Sequence, residues 1–489
     1  MQHDFLQKKN LYLAIDQGGH SSRALIFNHK GELISEGYAE VGVSRPRVDW
    51  VEQDPEELVQ SILTATRQAV SAVDNRKQHI CAAGMATQRS SIVCWDRNTG
   101  DALTPVLSWQ DRRAHQWLEK FSDQSEAIHK ITGLFLSAHY GASKLRWCTD
   151  HIEAVKDAAR DGHLAYGPMA SFLTFRLLRE RPFVTDPANA SRTICWNLKT
   201  RDWDPELLEV FGVLRSALPD CVPTYYDYGS LCIDDLTIPM KLVTGDQSAA
   251  IFALGELQAE TAYINMGTGA FISRSLGDYP TQGRRLLTSV ILQDDSQAIY
   301  ALEGTVNGAG SALDWAAKEF ELSTLFDHLP GWLEKSKSPP LFLNGVSGLG
   351  APYWVPHFVS HFIGEGEDWE RVVAVIESII FLMEANLTQM QGLASPPQQI
   401  QLTGGLAKLD GLCQRLADLT ELPVYRPREK EATARGTAYL LAGRPIDWPE
   451  NEMGNWFKPK TNAGLKERYE RWIDTLLNAI RKPENHLVA

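Results

Sequence analysis

The chain has 489 residues, 44% of them hydrophobic and 22% charged, with a formal net charge of −13. That length exceeds one ordinary core and implies two to four domains, and the apolar-to-charged balance is that of a soluble globular protein. The acidic balance argues against non-specific binding to nucleic acid or to an anionic membrane surface.

Residues 11–15 read as a buried strand ending at Asp16. Residues 23–27 and 32–38 read as two more strands, joined by the turn "NHKG", so the chain opens as a β-meander. A helix is expected over 55–70, with Asp54 as N-cap, Pro55 in the first helical position and Glu57 completing a capping box. Strands follow at 80–86 and 91–95, the latter closing on "DRNTG". The second half repeats this grammar. "KLVTGDQSAAIFALG" is a strand, a Gly-Asp turn and a helix; "TAYINMGTGAFISRS" is a strand, a Gly-Thr-Gly turn and a strand. The hairpins after Asp16 and around Gly267 look like paired features of two similar halves, with a boundary near 240–250. "SKSPP" (336–340) and "SPPQQ" (395–399) read as surface loops.

The seven cysteines, at 81, 94, 148, 195, 221, 232 and 413, are scattered and show no C-x-x-C spacing. Reduced thiols in a cytoplasmic protein are expected, and the spacing argues against a zinc site. No apolar run approaches the roughly 18 residues of a membrane helix. The start, "MQHDFLQKKNLYLAI", is too short in apolar residues for a secretory signal.

Glycines cluster at strand ends: Gly18-Gly19, Gly267-Thr268-Gly269 and Gly404-Gly405. A fourth cluster, "EGTVNGAGSALDW", precedes a helix expected near Ser311. Glycine lets backbone N–H groups come close to an anion, so repeated glycine turns suit a phosphate-rich ligand shared by two halves, although any one alone is an ordinary turn. There is no G-x-x-x-x-G-K-[ST] and no G-x-G-x-x-G after a strand, which excludes a P-loop and a dinucleotide fingerprint. Two acids, Asp16 and Asp246, stand beside such turns. A Mg-nucleotide site needs a carboxylate near the metal, and phosphoryl transfer to an alcohol needs another to accept the hydroxyl proton.

With these features in place, residues 10–445 resemble an FGGY carbohydrate kinase, and most of all its glycerol kinase branch. "AIDQGGHSSRALIF" resembles the first phosphate loop, and "QRSSIVCWDRNTG" and "LSWQDRR" the segments lining the substrate pocket. "TDPANASRTICWNLKTRDWD" is the most glycerol-kinase-like stretch; "GDQSAA" resembles the catalytic loop and "NMGTGAF" the second phosphate loop. The resemblance implies a two-domain α/β fold of the actin/Hsp70/sugar-kinase (ribonuclease H-like) type with an interdomain cleft. It implies residues 1–245 as the substrate-binding domain and 246–489 as the nucleotide-binding domain. It makes Asp246 the catalytic base and places Asp16 and Asp246 at Mg²⁺. It puts Arg89, Ser90, Trp109, His139, Asp246 and Phe271 around the substrate. It puts Gly18, Gly19, His20, Ser21, Arg23, Thr268, Gly310, Gly404 and Gly405 around ATP. A homodimer is compatible with the resemblance alone.

The departures point to the substrate. Gly19 and His20 stand where the branch usually has two Thr, Ser90 where it has a Glu gripping substrate hydroxyls, and His139 where a Tyr touches glycerol. Leu409 or Asp410 occupies the place of an Asn near the adenine. Losing an acceptor at 90 favours a polyol or ketose larger than glycerol. The alternatives are glycerol kinase itself, a catalytically weak sugar- or nucleotide-binding regulator, and an Hsp70-like ATPase.

Overall fold

Two mixed β-sheets, one from each half of the chain, carry the architecture. The computed structural model describes residues 10–429, 431–446, 448 and 453–481. Residues 1–9, on which the reading of the N-terminus partly rests, lie outside the described residues. The first sheet comprises β1 (Leu11–Gln17), β2 (Ser21–Asn28), β3 (Leu33–Glu40), β4 (Ile80–Thr87), β5 (Tyr225–Ile233) and β6 (Leu236–Gly245), in the order β5-β6-β4-β1-β2-β3. The second comprises β7 (Thr261–Met266), β8 (Ala270–Gly277), β9 (Leu287–Gln293), β10 (Ala298–Val306), β11 (Gln399–Thr403), β12 (Val424–Arg426) and β13 (Asn455–Phe457), in the order β9-β10-β8-β7-β11-β12-β13.

The halves share one topology. β3, β2 and β1 are antiparallel neighbours, and β1, β4 and β6 run parallel. β10, β8 and β7 are likewise antiparallel, and β7, β11 and β12 run parallel. Parallel strands end at one edge of a sheet, so the loops after β1, β4 and β6 gather together, as do those after β7 and β11.

Local sequence explains most elements. Alternation in "RALIF" buries Ala24 and Ile26 on one core and Leu25 and Phe27 on another. The expected early strands are all present, extended or shifted by a residue or two. Helix α1 (Pro55–Ser71) starts as expected, with the Asp54 carboxylate accepting from the amides of Glu56 (2.8 Å) and Glu57 (3.1 Å). The expected capping box does not close: the Glu57 carboxylate accepts from Gly42 N–H at 3.1 Å, tying α1 to the segment just after β3. Segment 336–340 is not the surface loop expected, because Ser336, Pro339 and Pro340 are buried.

Three further helices matter below: α2 (Asp246–Ala250), α3 (Gly310–Glu319) and α4 (Asp368–Gln389). By length and composition α4 is apolar enough to cross a membrane, although charged residues interrupt it and, as expected, it contains no apolar run of 18 residues. It lies instead inside the second core, burying Val372, Ile376, Ile379 and Ile380 at helical spacing. Helix α5 (Ala432–Leu441) belongs by sequence to the second half but packs on β1 and β4 of the first sheet. There Ala434, Ala438 and Leu440 join Ala14, Leu25, Phe27 and Leu242 in one core. Glycines permit the close approach. A Cβ at Gly84 would lie 3.0 Å from Thr437 and Leu441, and one at Gly436 only 1.9 Å from the Ala249 carbonyl oxygen of α2.

Candidate active site

The parallel strands β1, β4 and β6 deliver Asp16, Arg89-Ser90 and Asp246 to one edge of the first sheet. Asp246 opens α2, and its carboxylate accepts from the Gln247 amide at 2.7 Å. Arg89 lies over Gly245, where a Cβ would sit 2.4 Å from its Cδ. Its Nε is 3.9 Å from Asp246, its Nη2 is 3.9 Å from Glu303, and Nη2 also donates to the Gln247 side chain. Arg192 joins the same carboxylate: its Nη2 donates to Glu303 and, at 2.7 Å, to Ser289. Glu303 is on β10 and Arg192 comes from the segment after α1 and β4, so this buried cluster bridges the two halves.

Asp16 faces Arg23 across the β1–β2 register, and Arg23 pairs with Glu431 at 2.5 Å, again across the halves. Burial, then the nearby Asp246 carboxylate, push Asp16 up to about 7, with Arg23 opposing and Glu431 adding to the rise. Burial also raises Asp246, with Arg89 the chief opposing influence. Burial would raise Glu303 as well, but Arg192, Arg89 and Ser289 hold it below its ordinary value.

The side of the cluster formed by Ser90, Trp109 and His139 is stapled by Lys144. Its buried Nζ, whose pKa burial and then Arg112 push well below the ordinary lysine value, donates to the carbonyl oxygens of Ser90 (3.1 Å), Ser108 (2.8 Å) and His139 (2.8 Å), fixing three segments the sequence places far apart. The Trp109 and His139 rings lie 5.7 Å apart at 60°, and Ser91 Oγ accepts from Trp109 N–H at 3.0 Å. His139 is held well below its ordinary value by burial and then by Arg112, Lys144, Arg192 and Arg89. Ser90 adopts a left-handed φ of 65°. Phe271 on β8 pairs with Thr305 and so shares a sheet face with Glu303, two residues along β10. Arg89, Ser90, Trp109, His139 and Asp246 thus lie in one neighbourhood with Arg192, Glu303, Gln247 and Lys144, which the sequence reading did not single out, and Phe271 is tied to it through the β8–β10 register.

The first glycine loop is built differently from the expectation. Gly18 N–H is spent inside the turn on Ser21 O at 2.9 Å. Gly19 O accepts from Gln53, whose side-chain oxygen accepts from Gln88, and this buried amide cluster with Gln17 braces the loop. A Cβ at Gly19 would meet nothing within 4 Å, so that glycine answers no steric demand within the chain. His20 is exposed, its carbonyl accepting from Val41 N–H at 2.9 Å.

In the second half, Thr268, Gly310 and Gly405 line a cavity of about 520 Å³ with Gly267, Asp314, Phe326, Leu406, Lys408 and Leu409. That volume suits a small ligand. Gly404, expected beside the nucleotide, is not among the lining residues and instead packs on β7: at φ 96°, a Cβ there would meet Met266 O at 2.4 Å. The amides at the start of α3 are occupied, Gly310 N–H on Gly267 O (2.9 Å) and Ser311 N–H on Thr268 O (3.0 Å), which fixes the loop to the helix. Leu409 faces the cavity, whereas Asp410 turns away to Arg426 at 2.7 Å. Among the described residues, no three His, Cys, Asp or Glu side chains converge as a closed metal site, and all seven cysteines are free thiols.

Comparison with known proteins agrees with this arrangement. The model of the N-terminal domain of the FGGY family of carbohydrate kinases matches residues 11–253, and that of the C-terminal domain matches residues 262–443. A glycerol kinase of Parabacteroides distasonis is 34% identical, over 97% of this chain and 95% of its own. One from Halothermothrix orenii is 32% identical, over 96% and 98%. The crystal structure of Plasmodium falciparum glycerol kinase with ADP superposes with a TM-score of 0.87, at 23% identity over 97% of this chain and 99% of that one, a likeness of fold.

Proposed function

The chain belongs to the FGGY family of carbohydrate kinases, and from that premise we propose that it transfers the γ-phosphoryl group of ATP to a hydroxyl of a polyol or ketose larger than glycerol. The observation that carries the size preference is Ser90. It is buried, and its Oγ has no hydrogen-bond partner among the described residues, beside an Arg89 whose Nη1 also has none. A glycerol-sized triol would leave those groups unpaired, whereas a longer chain of hydroxyls reaches them.

In this reading residues 1–245 present the acceptor and residues 246–489 hold the nucleotide in the Thr268–Gly310–Gly405 cavity. Asp246 takes the proton of the attacking hydroxyl as the new P–O bond forms and the bond to ADP breaks. Arg89 and the Glu303–Arg192 pair fix the orientation of that carboxylate and of the acceptor. Mg²⁺ fits the donor set, because the half-buried Asp16 carboxylate, pushed up by desolvation and by the nearby Asp246 carboxylate, is relieved by a divalent cation with a preference for oxygen ligands. Asp16 and Asp246 would hold it through oxygen, and when bound it spreads the charge of the phosphoryl oxygens.

The test is a comparison of kcat/KM for glycerol with four- and five-carbon polyols and ketoses. The expected result is a clear preference for the longer acceptors. A preference for glycerol would establish the second reading, glycerol kinase, which the names of the relatives favour.

A further inference from the structure

The wall of the cavity in the second half is of two kinds. Part of it is nearly bare backbone, Gly267, Gly310 and Gly405 around Thr268. The rest is side chain: Asp314, Phe326, Lys408 and Leu409. Local geometry explains the change. Asp314 follows Gly310 by four residues on α3, so the two share a helix face, about 6 Å apart along the axis. Lys408 follows Gly405 by three residues in a single 3₁₀ turn (Gly405–Lys408), where residues at that spacing eclipse. Each charged side chain therefore stands one turn beyond a glycine of the loops.

Asp314 and Lys408 are both exposed, and neither makes an ion pair or a side-chain hydrogen bond among the described residues. Phe326 is 51% exposed although its ring is large and apolar. That ring and Leu409 offer apolar faces to a planar heterocycle. No amide side chain lines the cavity among the described residues. An amide, with a donor beside an acceptor, is the side chain that matches adenine, whose N6 amine lies beside a ring nitrogen that accepts. A carboxylate only accepts and an ammonium only donates. Adenine would set its N1 acceptor against the carboxylate or its amine against the ammonium. Guanine carries N1–H and the N2 amine side by side, a pair that one carboxylate can accept from, and next to them O6, which accepts from an ammonium.

We infer that this cavity selects guanine: Asp314 accepts from N1–H and the N2 amine, Lys408 donates to O6, and Phe326 and Leu409 pack on the ring, so that GTP is a better phosphoryl donor than ATP. The inference rests on the reading of this cavity as the nucleotide site of a kinase, and it assigns the base preference of that site. The chemistry at phosphorus is unchanged. Asp246 takes the hydroxyl proton as the new P–O bond forms, the bond to the nucleoside diphosphate breaks, and GDP leaves where ADP otherwise would.

Titration calorimetry of the full chain with GDP, IDP and ADP, each with Mg²⁺, tests it. GDP should bind at least about 10-fold tighter than ADP, the order of discrimination one bidentate pair supplies. IDP keeps N1–H and O6 but lacks the N2 amine, and should fall between the two. Both residues are exposed, so their variants keep the fold. Asp314→Asn puts an amide of the same shape in place of the carboxylate and should lower the GDP-to-ADP ratio by strengthening ADP as well as weakening GDP. Lys408→Met should lower it by weakening GDP alone. A wild-type ratio below about 10, an IDP affinity outside the interval, or a ratio that either variant leaves unchanged overturns the inference. Turnover of glycerol, xylitol and xylulose with GTP and with ATP separates the two readings. If an acceptor is phosphorylated while GDP is not preferred, the kinase reading stands and this inference falls. If GDP is preferred as described but neither GTP nor ATP phosphorylates any acceptor, the guanine site stands and the kinase reading falls.

Discussion

Asp246 is the proposed general base. Asp246→Asn keeps the shape and the hydrogen bond from Gln247 but removes the base, so acceptor-dependent ADP release should fall on the order of 10²–10⁴-fold with nucleotide binding retained. Near-wild-type turnover in that variant would remove Asp246 from the mechanism. Asp16 gives a second test, through stability. Its pKa stands at about 7 in the fold, above the ordinary carboxylate value of about 4, so the folded chain binds this proton more tightly than the unfolded chain. Its contribution is therefore fully present below about pH 4 and is lost as pH rises through 7. Asp16→Asn should be more stable relative to wild type at pH 8 than at pH 4 in the absence of ligand, by thermal melts at both. A pH-independent difference would show that Asp16 is not the strained carboxylate described. Both aspartates were legible in the sequence because each follows an apolar strand and precedes glycine or a short helix. Arg192, Glu303 and Lys144 were not. Glu303 lies 111 residues from Arg192, and Lys144 reaches a carbonyl 54 residues away, so their roles exist only once the chain is folded.

At the level of elements, local pattern fixed the strands and the start of α1, and long-range packing decided the rest. The loop after Asp16 shows the limit. Glycines suggested open N–H groups, yet Gly18 N–H is closed within its own turn and three glutamines from separate segments brace the loop. Helix α2 is more revealing. It has only five residues, too few to be stable alone, and it carries Asp246, the proposed base. Its support is α5, which approaches so closely that a methyl at Gly436 would sit 1.9 Å from Ala249 O. Gly436→Ala should therefore push α2 away from the cleft. A stability loss of about 1–3 kcal/mol is expected from overpacking, seen as a lower denaturation midpoint. A fall in kcat should accompany it, since Asp246 moves with the helix. Unchanged kcat with reduced stability would mean that α2 holds its place without α5. Gly436 sits mid-helix in "TARGTAYLL", and nothing local distinguishes it from a tolerated glycine.

Across the whole molecule the two halves repeat one strand order, a likeness that the sequence suggested at the hairpins but did not establish. They are not independent bodies. One core draws on Ala14, Leu25, Phe27 and Leu242 from the first half and on Phe252, Ile291, Leu292, Ala434 and Leu440 from the second. Phe27→Ala should cost about 3–5 kcal/mol and shift a single unfolding transition; a second, separate transition would show that the halves unfold apart. Arg435 ties the same seam, donating to Gly31 O at 2.6 Å and to Ala253 O at 2.8 Å. The first sheet thus has one face covered by its own α1 and the other by α5, which lies almost 200 residues beyond the end of β6. On the ribosome, that face of β1 and β4 stays bare until α5 emerges, which at ordinary elongation rates is a delay of roughly 10–40 s. The nascent first half is therefore a natural client for chaperones, and a ribosome stalled before residue 441 would release a sticky fragment rather than a working domain.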